Sequence, residues 1–120
     1  MRALPPSTPA FSAAIVTEGW VHVSGQIGTD AQGRIAEGCA EQARISLEKI
    51  DMLLRQAGSS REHLVKLTAY LVDAADYPHY ANAKKGWVAQ PAPAGTVVVV
   101  AGLLTPGARI EIEAIARIPQ

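Results

Sequence analysis

The sequence from residue 91 to residue 116, PAPAGTVVVVAGLLTPGARIEIEAIA, decides the fold. A turn signal precedes the apolar run Thr96–Ala101, whose lack of polar alternation predicts a strand buried on both faces. A second turn at Pro106-Gly107 precedes Arg109–Ala116, where polar and apolar residues alternate as in a strand with one buried face. We therefore expect two strands of different burial in this part of the chain.

The remaining segments predict further strands and two helices. We expect a Pro-rich extended arm over the first nine residues, then a hairpin from Phe11–Thr17 and Trp20–Ile27 with its turn at Glu18-Gly19, and a short strand at Arg34-Ile35. An amphipathic helix is expected over Ala40–Ala57, followed by a capping box at Ser59–Glu62. A strand over Leu64–Val72 and a second helix from Asp76 to about Val88 come next. Lys49 falls on the polar surface of the first helix. The predicted class is α+β, a two-layer domain with both helices on one face of a mixed β-sheet.

This layering leaves one face of the sheet without a cover. The apolar run Thr96–Ala101 requires burial on both sides, yet both helices are expected on the same side. The pattern therefore predicts that another subunit covers the second face.

Composition limits the functions that the chain can have. Its 120 residues predict one domain over residues 1–120, and a formal net charge of zero with pI near 6.8 argues against nucleic-acid binding. The one cysteine, Cys39, excludes an intrachain disulfide and a multi-cysteine metal site, and it stands near a helix start, where a thiolate would be favoured. With a single cysteine, we expect a cytoplasmic location and no metal site. No segment is apolar for long enough to span a membrane, so we expect no membrane partner.

Several segments together resemble the reactive-intermediate deaminase family, also called RidA or YjgF-type proteins and L-PSP endoribonucleases. The resemblance covers most of the chain and is carried by Ser24-Gly25-Gln26-Ile27, Gln42-Ala43-Arg44, Val65–Asp73 and the segment from Pro93 to Ala116. It implies a homotrimer with small-molecule pockets at the subunit interfaces. It also implies hydrolysis of an enamine or imine to a carbonyl compound and ammonia, without a cofactor.

The chain departs from that family where the family contacts its substrate. Gly95 stands where deaminating members have an arginine that holds the substrate carboxylate, and Phe11 stands where they have a tyrosine. Val97 replaces a pocket cysteine, and Ala81 stands in place of an asparagine. We expect weak or absent activity on aminoacrylate-type substrates, and a larger, more apolar pocket. A cation from another subunit could fill the space of the missing arginine, and Arg34, Arg109 and Lys84 are the candidates.

The resemblance assigns the candidate site residues. Glu111 is the expected catalytic group, which handles the proton and the water; Glu111 and Glu113 share one strand face, and the alternative is that both line a solvated surface. The expected ligand-binding residues are Ser24, Phe11, Gly95, Thr96 and Val97. Ser24 has the alternative role of satisfying a backbone group at a strand end.

Two functions remain open from the sequence. One is a hydrolytic deaminase with an altered substrate preference, and the alternative is a non-catalytic trimer that binds a small ligand on the same scaffold. The older ribonuclease attribution is the weakest, because the chain is neutral and has no basic patch.

Overall fold

The computed structural model describes residues 1–120 and places two helices on one face of a six-stranded sheet. The elements are β1 (Arg2–Ser7), β2 (Ser12–Thr17), β3 (Trp20–Gln26), α1 (Cys39–Gln56), β4 (Leu64–Leu71), α2 (Tyr77–Lys84), β5 (Ala94–Val99) and β6 (Ile110–Arg117). The predicted two-layer α+β class is confirmed.

The strand order is β1-β2-β3-β6-β4-β5. Every neighbouring pair is antiparallel except β4 and β5, which are parallel and are joined by the segment that contains α2. A parallel pair needs such a crossover, and here the crossover leaves β5 at the sheet edge and β6 near its centre. Neither helix is long and apolar enough to cross a membrane.

Strand β6 has the alternation that its sequence predicts. Ile110, Ile112 and Ala114 are buried on the side of the sheet that α1 covers. Glu111 and Glu113 lie on the opposite face and are only half-buried. One strand therefore contributes both to the core and to the face that carries the candidate catalytic group.

Strand β5 differs from its prediction. It runs from Ala94 to Val99 rather than from Thr96 to Ala101, because it pairs in parallel with β4, which ends at Leu71. As an edge strand it is not buried within one chain, and Val98 and Val99 are 40% and 54% exposed. The expectation that another subunit covers this strand stays a prediction.

Other strand and helix boundaries also differ from those predicted. The expected arm is β1, a strand paired with β2, and the segment at Arg34-Ile35 forms only an isolated bridge between Thr29 and Ile35. The second helix ends at Lys84 rather than near Val88, because Gly86 adopts a positive φ of 79° two residues later.

The predicted capping box is wrong. The residues after α1 form a short 3-10 turn, Arg61–His63, whose N-cap Ser60 makes no side-chain capping hydrogen bond. The neighbouring Ser59 is buried, and its hydroxyl donates to the carbonyl oxygen of Arg117 at 2.5 Å. This serine satisfies the end of β6 instead of a helix start.

A buried glutamine joins α1 to the beginning of β6. Gln42 is 1% exposed, and its Nε2 donates to the carbonyl oxygens of Ala36 at 2.8 Å and of Gly107 at 3.1 Å. Its Oε1 accepts a hydrogen bond from the backbone N–H of Arg109 at 2.8 Å. All of these backbone groups lie in loops or at a strand start, so one side chain holds the two loops that flank α1 and β6.

Gln42→Met should lower the free energy of unfolding by about 3 kcal/mol, because a buried N–H and two carbonyl groups lose their partner at a cost on the order of 1 kcal/mol or more each. Gln56→Met, an exposed position on the same helix, should change stability by no more than about 0.5 kcal/mol. Chemical denaturation at one protein concentration measures both variants. Equal stabilities would show that Gln42 does not hold the loops.

Candidate functional site

A cavity of about 440 Å³ lies where β3 ends beside β6. Its lining residues are Phe11, Ser24, Gly25, Ile27, Leu104, Thr105 and Glu111. It thus brings together three residues that the sequence selected, Phe11, Ser24 and Glu111. Leu104 and Thr105 were not selected, since they stand in a loop without a pattern.

The carboxylate of Glu111 packs directly against the backbone of β3. A Cβ atom on Gly25 would lie 2.1 Å from Glu111 Oε2, so a side chain at position 25 would displace the carboxylate. Burial, and to a smaller extent the charge of Glu113, raises the pKa of Glu111 above its usual value. A carboxylate with a raised pKa at a cavity wall is suited to accept and return a proton.

Glu113 has a different environment although it shares a strand face with Glu111. The hydroxyl of Tyr70, on β4, donates to Glu113 Oε1 at 2.5 Å, and this hydrogen bond raises the pKa of Tyr70. Glu113 does not line the cavity. Only the first of the two glutamates is therefore placed to contact a ligand within this cavity.

Ser24 satisfies a backbone group, as in the alternative role considered for it, and its ligand-binding role stays a prediction. Its hydroxyl donates to the carbonyl oxygen of Ser12 at 2.6 Å, which links β3 to the start of β2. Because that proton is used within the sheet, the hydroxyl oxygen faces the cavity as an acceptor rather than as a nucleophile activated by histidine.

Gly95, Thr96 and Val97 do not line the cavity of their own chain. They lie on β5, which is separated from β6 by β4. Thr96 accepts a hydrogen bond from Lys66 Nζ at 2.9 Å, whereas Val97 packs toward the core on the helix side, the side opposite Glu111. Their role in ligand binding stays a prediction that requires a second subunit.

A second cavity, of about 360 Å³, shares Phe11, Gly25 and Ile27 with the first. Its other lining residues are Pro6, Ala13, Gln26, Thr29, Lys49, Met52 and Leu53. The sequence placed Lys49 on the polar surface of α1. The structure instead shows that the loop after β3 passes over this part of the helix, a contact that helical periodicity does not report.

The three cations named from the sequence all have other partners. Arg109 Nε donates to Asp76 Oδ2 at 2.7 Å, Arg34 lies 3.5 Å from Asp30, and Lys84 Nζ lies 4.8 Å from the ring centroid of Tyr80. None of them lines either cavity.

The expectation of a favoured thiolate at Cys39 is wrong. The residue is 4% exposed, and burial, with the nearby Asp76 carboxylate, raises the pKa of its thiol to about 11. Desolvation outweighs the effect of the helix start. No three His, Cys, Asp or Glu side chains lie close enough together to hold a metal ion.

Comparison with known proteins places the chain in a family. Residues 1–118 match the family described as Endoribonuclease L-PSP. The 2-iminobutanoate/2-iminopropanoate deaminase of Rattus norvegicus is 36% identical over 114 residues, which cover 93% of this chain and 82% of the relative.

Two crystal structures are similar in sequence and fold. A YjgF-family protein from Neisseria meningitidis has a TM-score of 0.89 at 30% identity, covering 99% of this chain and 95% of that one. RidA from the Antarctic bacterium Psychrobacter sp. has a TM-score of 0.88 at 31% identity, covering 96% and 94%. This chain therefore belongs to the Endoribonuclease L-PSP family, to which its sequence and its fold both assign it.

Proposed function

We propose that this protein hydrolyses an enamine or imine to a carbonyl compound and ammonia. The observation that carries the proposal is the Glu111 carboxylate, held against Gly25 at the wall of a cavity and with its pKa raised by burial. Relatives that cover most of the chain are named as 2-iminobutanoate/2-iminopropanoate deaminases, from rat and from human among others.

The reaction needs one water and one group that moves protons. Ionised Glu111 accepts a proton from water as the water oxygen bonds to the imine carbon. Glu111 passes this proton to the nitrogen, which leaves a hydroxyl and an amine on one carbon. It then takes the hydroxyl proton and returns it to the nitrogen, so the carbon–nitrogen bond breaks and ammonia leaves as the carbonyl forms. The Ser24 hydroxyl oxygen, whose proton is donated to Ser12, is available to accept a hydrogen bond from the substrate nitrogen.

The absence of an arginine at position 95 argues for an altered substrate preference. A guanidinium fork binds a carboxylate through two parallel hydrogen bonds, and glycine offers none. Without that contact, small aminoacrylate-type substrates should react slowly. The apolar lining by Phe11, Ile27 and Leu104 favours a substrate with a larger apolar side chain.

We infer that the working form is a homotrimer with ligand sites at its subunit interfaces. Phe11 is 61% exposed and Leu104 is fully exposed at the rim of the cavity, and the edge strand β5 exposes Val98 and Val99. Exposed apolar groups of this kind mark surfaces that another protein surface covers. In this arrangement β5, which carries Gly95, Thr96 and Val97, borders the ligand site of a neighbouring subunit. A cytoplasmic location remains our expectation.

The binding-only alternative has less support, because relatives across most of the chain are named as deaminases. A ribonuclease role remains weakest, since the formal net charge of the chain is zero.

Glu111→Gln should reduce imine hydrolysis by about 100-fold or more, because an amide cannot accept the proton from water. The assay generates imines in situ with an amino-acid oxidase and follows the release of ammonia and keto acid. Glu48→Gln, which alters an exposed carboxylate on α1, is the matched control. Turnover in Glu111→Gln equal to that of the unmodified protein would remove Glu111 from the mechanism. A folded, unmodified trimer without turnover on acidic, aromatic and aliphatic imines would favour the binding-only function.

The rate should fall at acid pH through the raised pKa of Glu111, since the base must be ionised and its protonated form is favoured by burial. Glu113→Gln removes the nearby negative charge that contributes to this rise, so the acid limb should move to lower pH. The shift should be partial, because burial is the larger cause. A pH profile of kcat/KM checks the direction, and an acid limb that stays in place or moves to higher pH would contradict this account.

Gly95→Arg should increase kcat/KM for 2-iminopropanoate by about ten- to several-hundred-fold, because it introduces a charge-assisted hydrogen-bond donor at the interface. The site admits a side chain: a Cβ atom on Gly95 would meet only the carbonyl oxygen of Leu67, at 3.8 Å. Gly95→Met adds comparable length without charge and should give no increase. Equal effects of the two variants would exclude position 95 from carboxylate binding.

A further inference from the structure

We propose that Lys49 binds the carboxylate of the substrate, so that α1 supplies the cation that position 95 lacks. This inference rests on the proposed function, because it names the substrate class: the anion of a 2-imino acid with a large apolar side chain. Lys49 is the only cationic residue that lines either of the two cavities, which share Phe11, Gly25 and Ile27.

Two hydrogen bonds hold the ammonium group of Lys49 in place, and one of its N–H donors has no partner. Its Nζ donates to the carbonyl oxygen of Ile27 at 2.8 Å and to Thr29 Oγ1 at 2.7 Å. An ammonium group has three N–H donors, so one remains for a ligand. The two existing hydrogen bonds restrict the long side chain, which lowers the entropic cost of binding an anion.

The ammonium group of Lys49 forms no ion pair. No carboxylate lies within 4.0 Å of its Nζ, since every ion pair in the chain involves an arginine. The nearby Asp30 accepts hydrogen bonds from the backbone N–H groups of Gln32 and Arg34. Burial lowers the pKa of Lys49, and the negative charge of Asp30 opposes this decrease only in part. A half-buried ammonium whose hydrogen-bond partners are neutral is electrostatically suited to an anionic ligand.

Lys49 and Glu111 contact the same short stretch of backbone at the end of β3. Glu111 contacts the backbone at Gly25, and Lys49 contacts it at Ile27. Two residues of chain span at most roughly 7 Å. In this proposal the carboxylate lies at Lys49, and the imine carbon lies on the Glu111 side of the wall that the two cavities share.

The wall beside Lys49 is apolar and accommodates the substrate side chain. The cavity around Lys49 is lined by Pro6, Phe11, Ala13, Ile27, Met52 and Leu53. Burial of a branched aliphatic or aromatic group there is favourable by about 25 cal/mol per Å² of apolar surface. The charge and the apolar wall together select an anion that also carries a large apolar group.

Calorimetric titration of wild type and Lys49→Gln with two probes tests the inference without turnover. The probes are 4-methyl-2-oxopentanoate, which is the keto acid formed from a leucine-derived imine, and its neutral methyl ester. Glutamine can still donate hydrogen bonds to the loop but has no charge. We expect Lys49→Gln to weaken binding of the keto acid by about tenfold or more, with the ester changed by less than about twofold.

Two further variants serve as controls. Lys49→Arg keeps the charge and should keep most of the preference for the keto acid, whereas Lys85→Gln removes an exposed lysine that lines neither cavity and should leave both affinities unchanged. Thermal unfolding verifies that each variant is folded.

Three outcomes would overturn the assignment of Lys49. The first is that Lys49→Gln retains its affinity for the keto acid, and the second is that it loses affinity for both probes equally. The third is that the wild type binds the keto acid no more tightly than its ester. The proposed function fails separately, if the wild type hydrolyses no imine. Loss of keto-acid binding in Lys49→Gln together with a wild type that hydrolyses no imine would support the anion site and refute the deaminase.

Discussion

The hydrogen bonds of Gln42 are the interaction on which both cavities depend. This buried amide binds the loop before α1 through Ala36 and the turn before β6 through Gly107 and Arg109. Glu111 follows Arg109 by two residues, and Lys49 follows Gln42 by two helical turns, roughly 10.5 Å along α1. A shift of α1 relative to β6 would break these hydrogen bonds, so the amide fixes the relative positions of the two charged groups.

Two close backbone approaches complete this arrangement. A Cβ atom on Gly28 would lie 2.3 Å from the Cα of Gln42, so only glycine lets the loop after β3 lie against α1. That same loop supplies the carbonyl oxygen of Ile27 to Lys49. Gly25 allows the carboxylate of Glu111 to lie against β3 in a similar way. Absence of a side chain at two positions thus brings a helix and a strand into contact with one loop, and the cavities lie along that loop.

The sequence predicted the parts of the fold that depend on local periodicity. The alternation around Glu111 and the helical repeat of α1 report which side chains meet the core, and both predictions are confirmed with small changes of boundary. The exposure of Val98 and Val99 could not be predicted in the same way, because an edge strand and a central strand have the same apolar sequence. The packing of Lys49 under the Ile27–Thr29 loop is also a long-range contact, invisible to helical periodicity.

The resemblance selected residues that lie together in one cavity, whereas no pattern in the sequence pointed to Lys49. Glu111, Ser24 and Phe11 come together in one cavity, whereas the replacement cation was sought among Arg34, Arg109 and Lys84, each of which has a partner elsewhere. An ammonium is a compact charge without the planar fork of arginine, so it attracts a carboxylate but does not orient it. Orientation must then come from contacts with the rest of the ligand. A lysine beside an apolar wall is consistent with that requirement, because the side chain of the substrate, rather than its carboxylate, would determine how the imine carbon faces Glu111.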